Sequence, residues 1–282
     1  VYGPTILTDS LSVPRIDDKF GNRWEYHPRS DRHSKVACWG IALDLLNASA
    51  LLQRHVKESK VVFGVNHEMR DFATGRKKDL DLVLARPADS STAGGRTLAS
   101  LVDKYQVVLR EDARSRLEQL PDLQECQVGA VLVALEAKAC MTAHIKSLPR
   151  LYDELNSSHL TVHGASESAL AIGFVMVNLS EEFLSPGLNQ FEIAGHAPDV
   201  SFQPQPRSTE RVLQKIAEMP RRTRDGQHGF DGLGVVVVRA RNDGSPIELV
   251  ASLPAPQPGG LFEYGSMITR MANEYDIRFR HI

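Results

Sequence analysis

The chain has 282 residues, 42% hydrophobic and 24% charged, with 33 Lys and Arg against 35 Asp and Glu for a net charge of −2. That length fills a large core without staples, and the near balance of charge excludes a globally basic nucleic-acid binder while leaving room for a local basic cleft. The longest apolar runs, GVVVV and ALAIGFVMV, are too short to span a bilayer, and Cys38, Cys126 and Cys140, with no C-x-x-C pairing, point to reduced thiols in a cytoplasmic compartment rather than disulfides or zinc.

Residues 1–34, rich in Pro, Gly, Asp and Arg, read as an irregular arm. Ser34 is placed to cap a helix over Lys35–Lys57, with Ile41, Leu45, Ala48 and Leu52 as its apolar stripe and Asp44 on an exposed flank. Runs at Val61–Phe72 and Lys77–Arg86 around Thr74-Gly75 predict a hairpin. Residues 88–96 read as a loop, Leu98–Leu120 as a helical insertion closed by Pro121, and Val128–Ala139 as a strand. Another helix follows, with Ser147 as N-cap and Pro149 in its first turn. Ala169–Asn178 is so evenly apolar that it belongs in the middle of a sheet covered on both faces. A long Pro-rich loop comes next, then a helix from Ser208 to Met219, a basic loop, a buried strand over Leu233–Arg241 and a last helix over Tyr264–Tyr275. There is no repeat and no clear linker, so one domain over 1–282 is expected. The alternation predicts an α/β fold with a central mixed β-sheet flanked by helices.

Chemistry concentrates where apolar strands carry charge. In AVLVALEAKAC, Glu136 and Lys138 share one strand face, and burying either charge alone would cost several kcal/mol, roughly, so such groups pair, bind metal or line a cleft. The hairpin's second strand carries Asp79 and Asp81, expected on one face, and Asp81 leads directly into apolar residues. If the two strands pair, Asp81 and Glu136 converge beside Lys138. Two hard oxygen ligands suit Mg²⁺, which takes further oxygens from water and phosphate, and a cation at a scissile phosphate offsets the charge repulsion that protects a phosphodiester.

An acid on one strand, E-x-K on the next, then an amphipathic helix and an apolar strand: this order resembles the PD-(D/E)XK, or restriction-endonuclease-like, nuclease superfamily, over roughly residues 35–178. The resemblance implies a restriction-endonuclease-like core with 179–282 as a C-terminal elaboration for DNA grip or dimer contacts. It implies Asp81, Glu136 and Lys138 as catalytic residues, with metal held by Asp81, Glu136 and the backbone of Ala137. Leu80 stands where the motif has proline, which leaves Asp79 a rival to Asp81. Some members use a further acid, for which Asp44 and Glu68 are candidates.

His144, Lys146 and Arg150 follow the lysine, and Arg221, Arg222 and Arg224 form a loop strip; each is a candidate DNA-phosphate contact set against a plain solvated face. No G-x-S-x-G elbow supports a Ser-His nucleophile, and GFDGLGV lacks P-loop spacing. The expectation is a cytoplasmic, Mg²⁺-dependent endonuclease on duplex DNA, of restriction or anti-phage type, with Mn²⁺ able to substitute and a homodimer implied by the family. The alternatives are a nuclease effector or repair nuclease on single-stranded DNA or RNA, and a non-catalytic nucleic-acid-binding or assembly module in which E-x-K is a buried ion pair.

Overall fold

A six-stranded mixed sheet with helices on both faces forms the centre of the molecule, the α/β arrangement that the alternation of elements predicts. The structure, a computed structural model, describes residues 1–88, 95–224 and 226–282. In chain order these form α1 (Gly3–Leu11), a ribbon of β1 (Ile16–Asp17) and β2 (Arg23–Trp24), α2 (Arg32–Ala48), α3 (Ala50–Lys57), the hairpin β3 (Val62–Arg70) and β4 (Lys77–Pro87), α4 (Leu101–Tyr105) and α5 (Glu111–Gln119). Then come β5 (Val128–Cys140), α6 (His144–Ala165), β6 (Leu170–Asn178), a ribbon of β7 (Glu182–Leu184) and β8 (Val200–Phe202), α7 (Arg207–Ala217), β9 (Gly232–Arg239), β10 (Glu248–Leu249) and α8 (Tyr264–Arg278).

The sheet order is β10-β9-β6-β5-β4-β3. β5, β6 and β9 run parallel, joined by crossovers through α6 and α7, while β4, β3 and β10 are antiparallel to their neighbours. Every residue of β6 is buried, as its unbroken apolar run demands of a central strand. One core layer packs Leu82, Leu84, Val133, Leu135 and Phe174 against α1, α2 and α8; the other packs Val83, Ala134, Val175 and Val235 against α6 and α7.

Several local expectations are corrected. The N-terminal arm contains α1, whose Ile6, Leu7 and Leu11 are fully buried. It crosses α2 so closely that a Cβ on Gly40 would stand 2.9 Å from the Gly3 Cα. The single helix over 35–57 is two helices bent by 99° at Ser49, where the Ser49 hydroxyl accepts from Leu52 N and starts α3 afresh. The insertion over 98–120 breaks at Gln106, which takes a left-handed φ of 53° and ends α4. α6 begins at His144, so Ser147 is inside it rather than its cap and Pro149 lies beyond the first three positions. The Pro-rich loop holds the β7–β8 ribbon. The loop read at 88–96 falls mostly on 89–94, outside the described residues. Among the described residues no single helix is long and apolar enough to cross a membrane.

Candidate active site at the β4–β5 step

β4 and β5 pair with Leu82 across from Leu135 and Val83 across from Ala134, so continuing the register sets Asp81 opposite Glu136. The two-residue alternation slips here. Leu80 packs in the α6-side layer, yet Leu82 and Leu84 pack in the α2-side layer, so one residue between them is not counted in the pleat. Across the hairpin the ladder skips Asn66, which has a φ of 50° and whose side-chain oxygen is held by the buried Lys35 ammonium. The slip separates Asp81 from Asp79, correcting the expectation that they share a face.

Asp81 lies in the step this creates. Its Oδ1 accepts from Ser34 Oγ in the first turn of α2 (2.8 Å), and its Oδ2 accepts from the backbone N–H of Ala137 (3.0 Å). A strand residue's N–H and C=O project to the same edge, so the Ala137 carbonyl also faces the gap beside Asp81.

Glu136 is 3% exposed. Its Oε1 accepts from Lys138 Nζ at 2.8 Å and lies 3.3 Å from Lys78 Nζ; its Oε2 is buried with no hydrogen-bond partner. Burial pushes its carboxyl above the ordinary range, and Asp81 adds to this, while Lys138 and Lys78 pull it back only in part. Lys138 feels the same burial downward, but Glu136, Asp81 and Glu154 outweigh it, so its ammonium is held more firmly than a free lysine's. Lys78 is lowered, by burial and by the neighbouring Lys138 charge. The network runs on to α6: Lys138 is 3.6 Å from Glu154 Oε2, Lys78 donates to the Glu154 backbone carbonyl (2.7 Å), and Arg150 donates to Glu154 Oε1 (2.6 Å).

Above these groups opens a cavity of about 430 Å³. Asp81, Ala137 and Lys138 line it, with the segment 26–34 as one wall and the α6 residues Ser147, Arg150 and Glu154 as the other. His33 in the first wall packs against Tyr26, ring centroids 5.3 Å apart, and desolvation drives it down to about 4, so it is neutral at physiological pH.

The donor set is compatible with a hard divalent ion. A carboxylate oxygen buried without a partner is costly, and Glu136 Oε2 is one such atom, on the residue that the register sets across from Asp81. No group of three or more His, Cys, Asp or Glu side chains among the described residues is set to hold a metal. An ion here would therefore take two carboxylates and a backbone carbonyl from the protein and its remaining oxygens from elsewhere, the habit of Mg²⁺.

The other candidates divide. Arg150 reaches the cavity. Asp79 and Glu68 are exposed cross-strand neighbours, Glu68 is paired with Lys77, and neither lines the cavity. Asp44 is neither an exposed flank nor near the site. It is 1% exposed and accepts from Tyr2 N (2.7 Å), Gly3 N (2.8 Å) and the Tyr264 hydroxyl (3.0 Å), fastening α1 and α8 to α2. His144 is buried with Nε2 on the Asn178 carbonyl at 2.7 Å, and Lys146 is exposed outside the cavity lining. The arginine strip is not one surface. Arg222 is buried, donating to Asp231 Oδ1 (3.0 Å) and the Glu167 carbonyl (2.7 Å), while Arg221 lies over the Phe262 ring and Arg224 is exposed.

Sequence reading missed Lys78, Glu154 and His33 as parts of this site, and took Ser34 only as a helix cap. Glu154 had a signal in its i,i+4 spacing from Arg150 on the helix after E-x-K. Lys78 had none, because the pleat slip that turns it toward Glu136 has no mark in the sequence. The chain matches no protein family, no curated protein and no solved structure.

Proposed function

We propose that this chain is a divalent-metal-dependent phosphodiesterase acting on DNA, an endonuclease of the restriction or anti-phage kind that works in the cytoplasm. The observation that carries the reading is the meeting of Asp81, the Ala137 backbone edge and the Lys138 ammonium at one cavity wall, with the buried, half-satisfied Glu136 paired to Lys138 behind them. The order of elements from α2 through the hairpin, β5, α6 and β6 also supports the resemblance to the PD-(D/E)XK superfamily.

Asp81 and Glu136, with the Ala137 carbonyl, would hold Mg²⁺ or Mn²⁺. Such an ion supplies a bound water of lowered pKa and polarises a phosphoryl oxygen. The protein's own part is orientation and charge. Ser34 and the Ala137 N–H fix both oxygens of Asp81, so the carboxylate keeps one rotamer without its substrate. Lys138, held by Glu136 on one side and Glu154 on the other, sets an ammonium where negative charge builds on a phosphoryl oxygen. Arg150, with its side chain 85% exposed at the rim, is the cation placed to meet the incoming strand.

The test is plasmid DNA incubated with Mg²⁺, with Mn²⁺ and with EDTA. Nicking or linearisation is expected only with metal, and is expected to be lost in Lys138→Ala and Glu136→Ala. Cleavage that persists in EDTA, or in folded Glu136→Ala, refutes the assignment. Parallel arms with single-stranded DNA and RNA separate duplex cutting from the alternative substrates, and sedimentation with and without DNA reports whether the active form is the homodimer that the family implies.

A further inference from the structure

The parallel strands β5, β6 and β9 bring their carboxyl ends to one edge of the sheet, the edge at which open α/β sheets hold their ligands. The end of β5 lines the cavity already described. The ends of β6 and β9 line a second and larger one, about 530 Å³, within the range that takes a small organic ligand. Buried Asn178 joins the two, donating to the carbonyls of Met141 at the end of β5 and Ala240 at the end of β9. The β7–β8 ribbon is fixed beside the first cavity through Ser201 Oγ and Thr142 Oγ1, 3.1 Å apart, and supplies Glu182 to the second.

The second cavity has the chemistry of a nucleotide site. Leu253, 78% exposed, and the rings of Pro206 and Pro254 give it apolar walls. Arg241 is occupied by Glu182 (2.5 Å) and Asp243 (3.3 Å), but no hydrogen bond or ion pair among the described residues ends on the Arg239 guanidinium, which also lines the cavity and is exposed. Glu181 adds an exposed carboxylate able to accept from a base amino group. Phe202 lies outside the cavity's lining but is the cross-strand partner of Glu182, so it shares the ribbon face of that lining residue, with 70% of its surface bare. An exposed aromatic beside an apolar slot and an open guanidinium is what a base with its phosphate requires.

We infer that this second cavity binds one nucleotide unit, its base against Leu253, Pro254 and Phe202 and its phosphate on Arg239. Placing that unit on the strand that reaches the Asp81–Glu136 step rests on the nuclease reading; the pocket's ligand class does not. The unit is either part of a strand, unstacked to enter, or a free nucleoside monophosphate.

The experiment is fluorescence anisotropy of a 5′-labelled single-stranded 12-mer in EDTA, with wild type, Arg239→Glu, Phe202→Ala and, as a control with the same charge change, Arg86→Glu on exposed β4 surface. Arg239→Glu is expected to weaken binding tenfold or more and Phe202→Ala about fivefold or more, with Arg86→Glu within twofold of wild type. Displacement of the 12-mer by dAMP, dCMP, dGMP or TMP shows that a free nucleotide fills the site, whereas Arg239-dependent binding without displacement assigns it to the strand. The inference is overturned if wild type binds neither the 12-mer nor, by calorimetric titration, any of the four mononucleotides, if Arg239→Glu and Phe202→Ala bind as wild type does, or if Arg86→Glu loses as much as Arg239→Glu. Plasmid cutting by wild type is scored separately: Arg239-dependent binding without cutting keeps the pocket and removes the nuclease, and cutting with Arg239-independent binding does the reverse.

Discussion

Asp81→Asn separates a catalytic carboxylate from a structural one because the local geometry accepts the amide. The amide oxygen can take over the bond from Ala137 N, and the amide NH₂ can donate to Ser34 Oγ, whose own hydrogen remains free for the Asp31 carbonyl. Two charge-assisted hydrogen bonds become neutral ones, a loss of about 1 kcal/mol each at most. Removing a charge that raises Glu136 returns part of that. The net is about 1–2 kcal/mol, or about 2–4 °C in Tm for a chain of this length. Catalysis is affected far more. A unit charge about 4 Å from a cation at an effective dielectric of about 20 contributes about 4 kcal/mol, which is about a thousandfold in rate if it is made at the transition state. The assay is supercoil relaxation under single-turnover conditions, with Tm measured on the same preparation. A variant that melts within a few degrees of wild type and cuts at a thousandth of its rate or less agrees with this reasoning. One that cuts within tenfold of wild type refutes the metal-ligand role, and one that melts more than about 10 °C lower shows that the carboxylate is a structural brace.

Arg222→Ala removes a fully buried guanidinium from Asp231 and is expected to cost about 3–5 kcal/mol, read as a fall of several degrees in Tm, with the cutting rate per folded molecule unchanged. Asp44→Ala is expected to behave likewise, lowering Tm by several degrees without touching the site, because it loosens three hydrogen bonds that join α1 and α8 to α2. Glu25 is buried, and desolvation raises it from 4.5 to about 7. The folded state therefore keeps a proton that the unfolded chain has released between these values, and stability falls as pH rises through about 7. Glu25→Gln is expected to raise Tm at pH 8 by the equivalent of up to about 3 kcal/mol and to flatten this limb in melts across pH 5–9. His159 has the opposite sign. It is buried and lowered by desolvation to about 4, so the unfolded chain binds the extra proton between about 6.5 and 4 and stability is lost as pH falls through that window. Melts of His159→Gln over pH 4–7 are expected to lose part of that slope.

The sheet was legible because its strands are written in strong patterns. The hairpin around Thr74-Gly75, the E-x-K strand and the all-apolar β6 each follow from period and turn chemistry, and the sheet forms from them as expected. The failures are of two physical kinds. Helix breaks at Ser49 and Gln106 depend on a side-chain cap and a left-handed residue that tertiary packing selects, so a continuous apolar stripe conceals them. The roles of Asp44 and His144 depend on partners at least 41 and 34 residues away in the chain, and Arg222 joins Asp231, nine residues on, to carbonyls 53 and 55 residues back; a polar residue that looks solvated by its local pattern is buried when such partners exist. The arginine strip shows this most plainly, with three cations of one short segment sent to a buried ion pair, an aromatic face and solvent.

The choice between a structural ion pair and a working site turns on how far each charge is satisfied. A buried pair kept for stability has its remaining lone pairs filled, because the penalty for removing ions from water is recovered only by complete hydrogen bonding. Arg222 meets that standard, reaching Asp231, His163 and two backbone carbonyls from a side chain with no exposed surface. Glu136 does not. Two ammonium groups crowd one of its oxygens while the other has no hydrogen-bond partner, and its carboxyl is raised despite them. Lys138 pairs with the buried Glu136, yet about a quarter of its side chain is exposed and it lines the cavity. One cluster in this protein is thus closed and the other borders the cavity, where the proposed substrate would enter. The second lies at a slip in the pleat that joins Asp81 to the backbone N–H of Ala137, the residue next to Glu136.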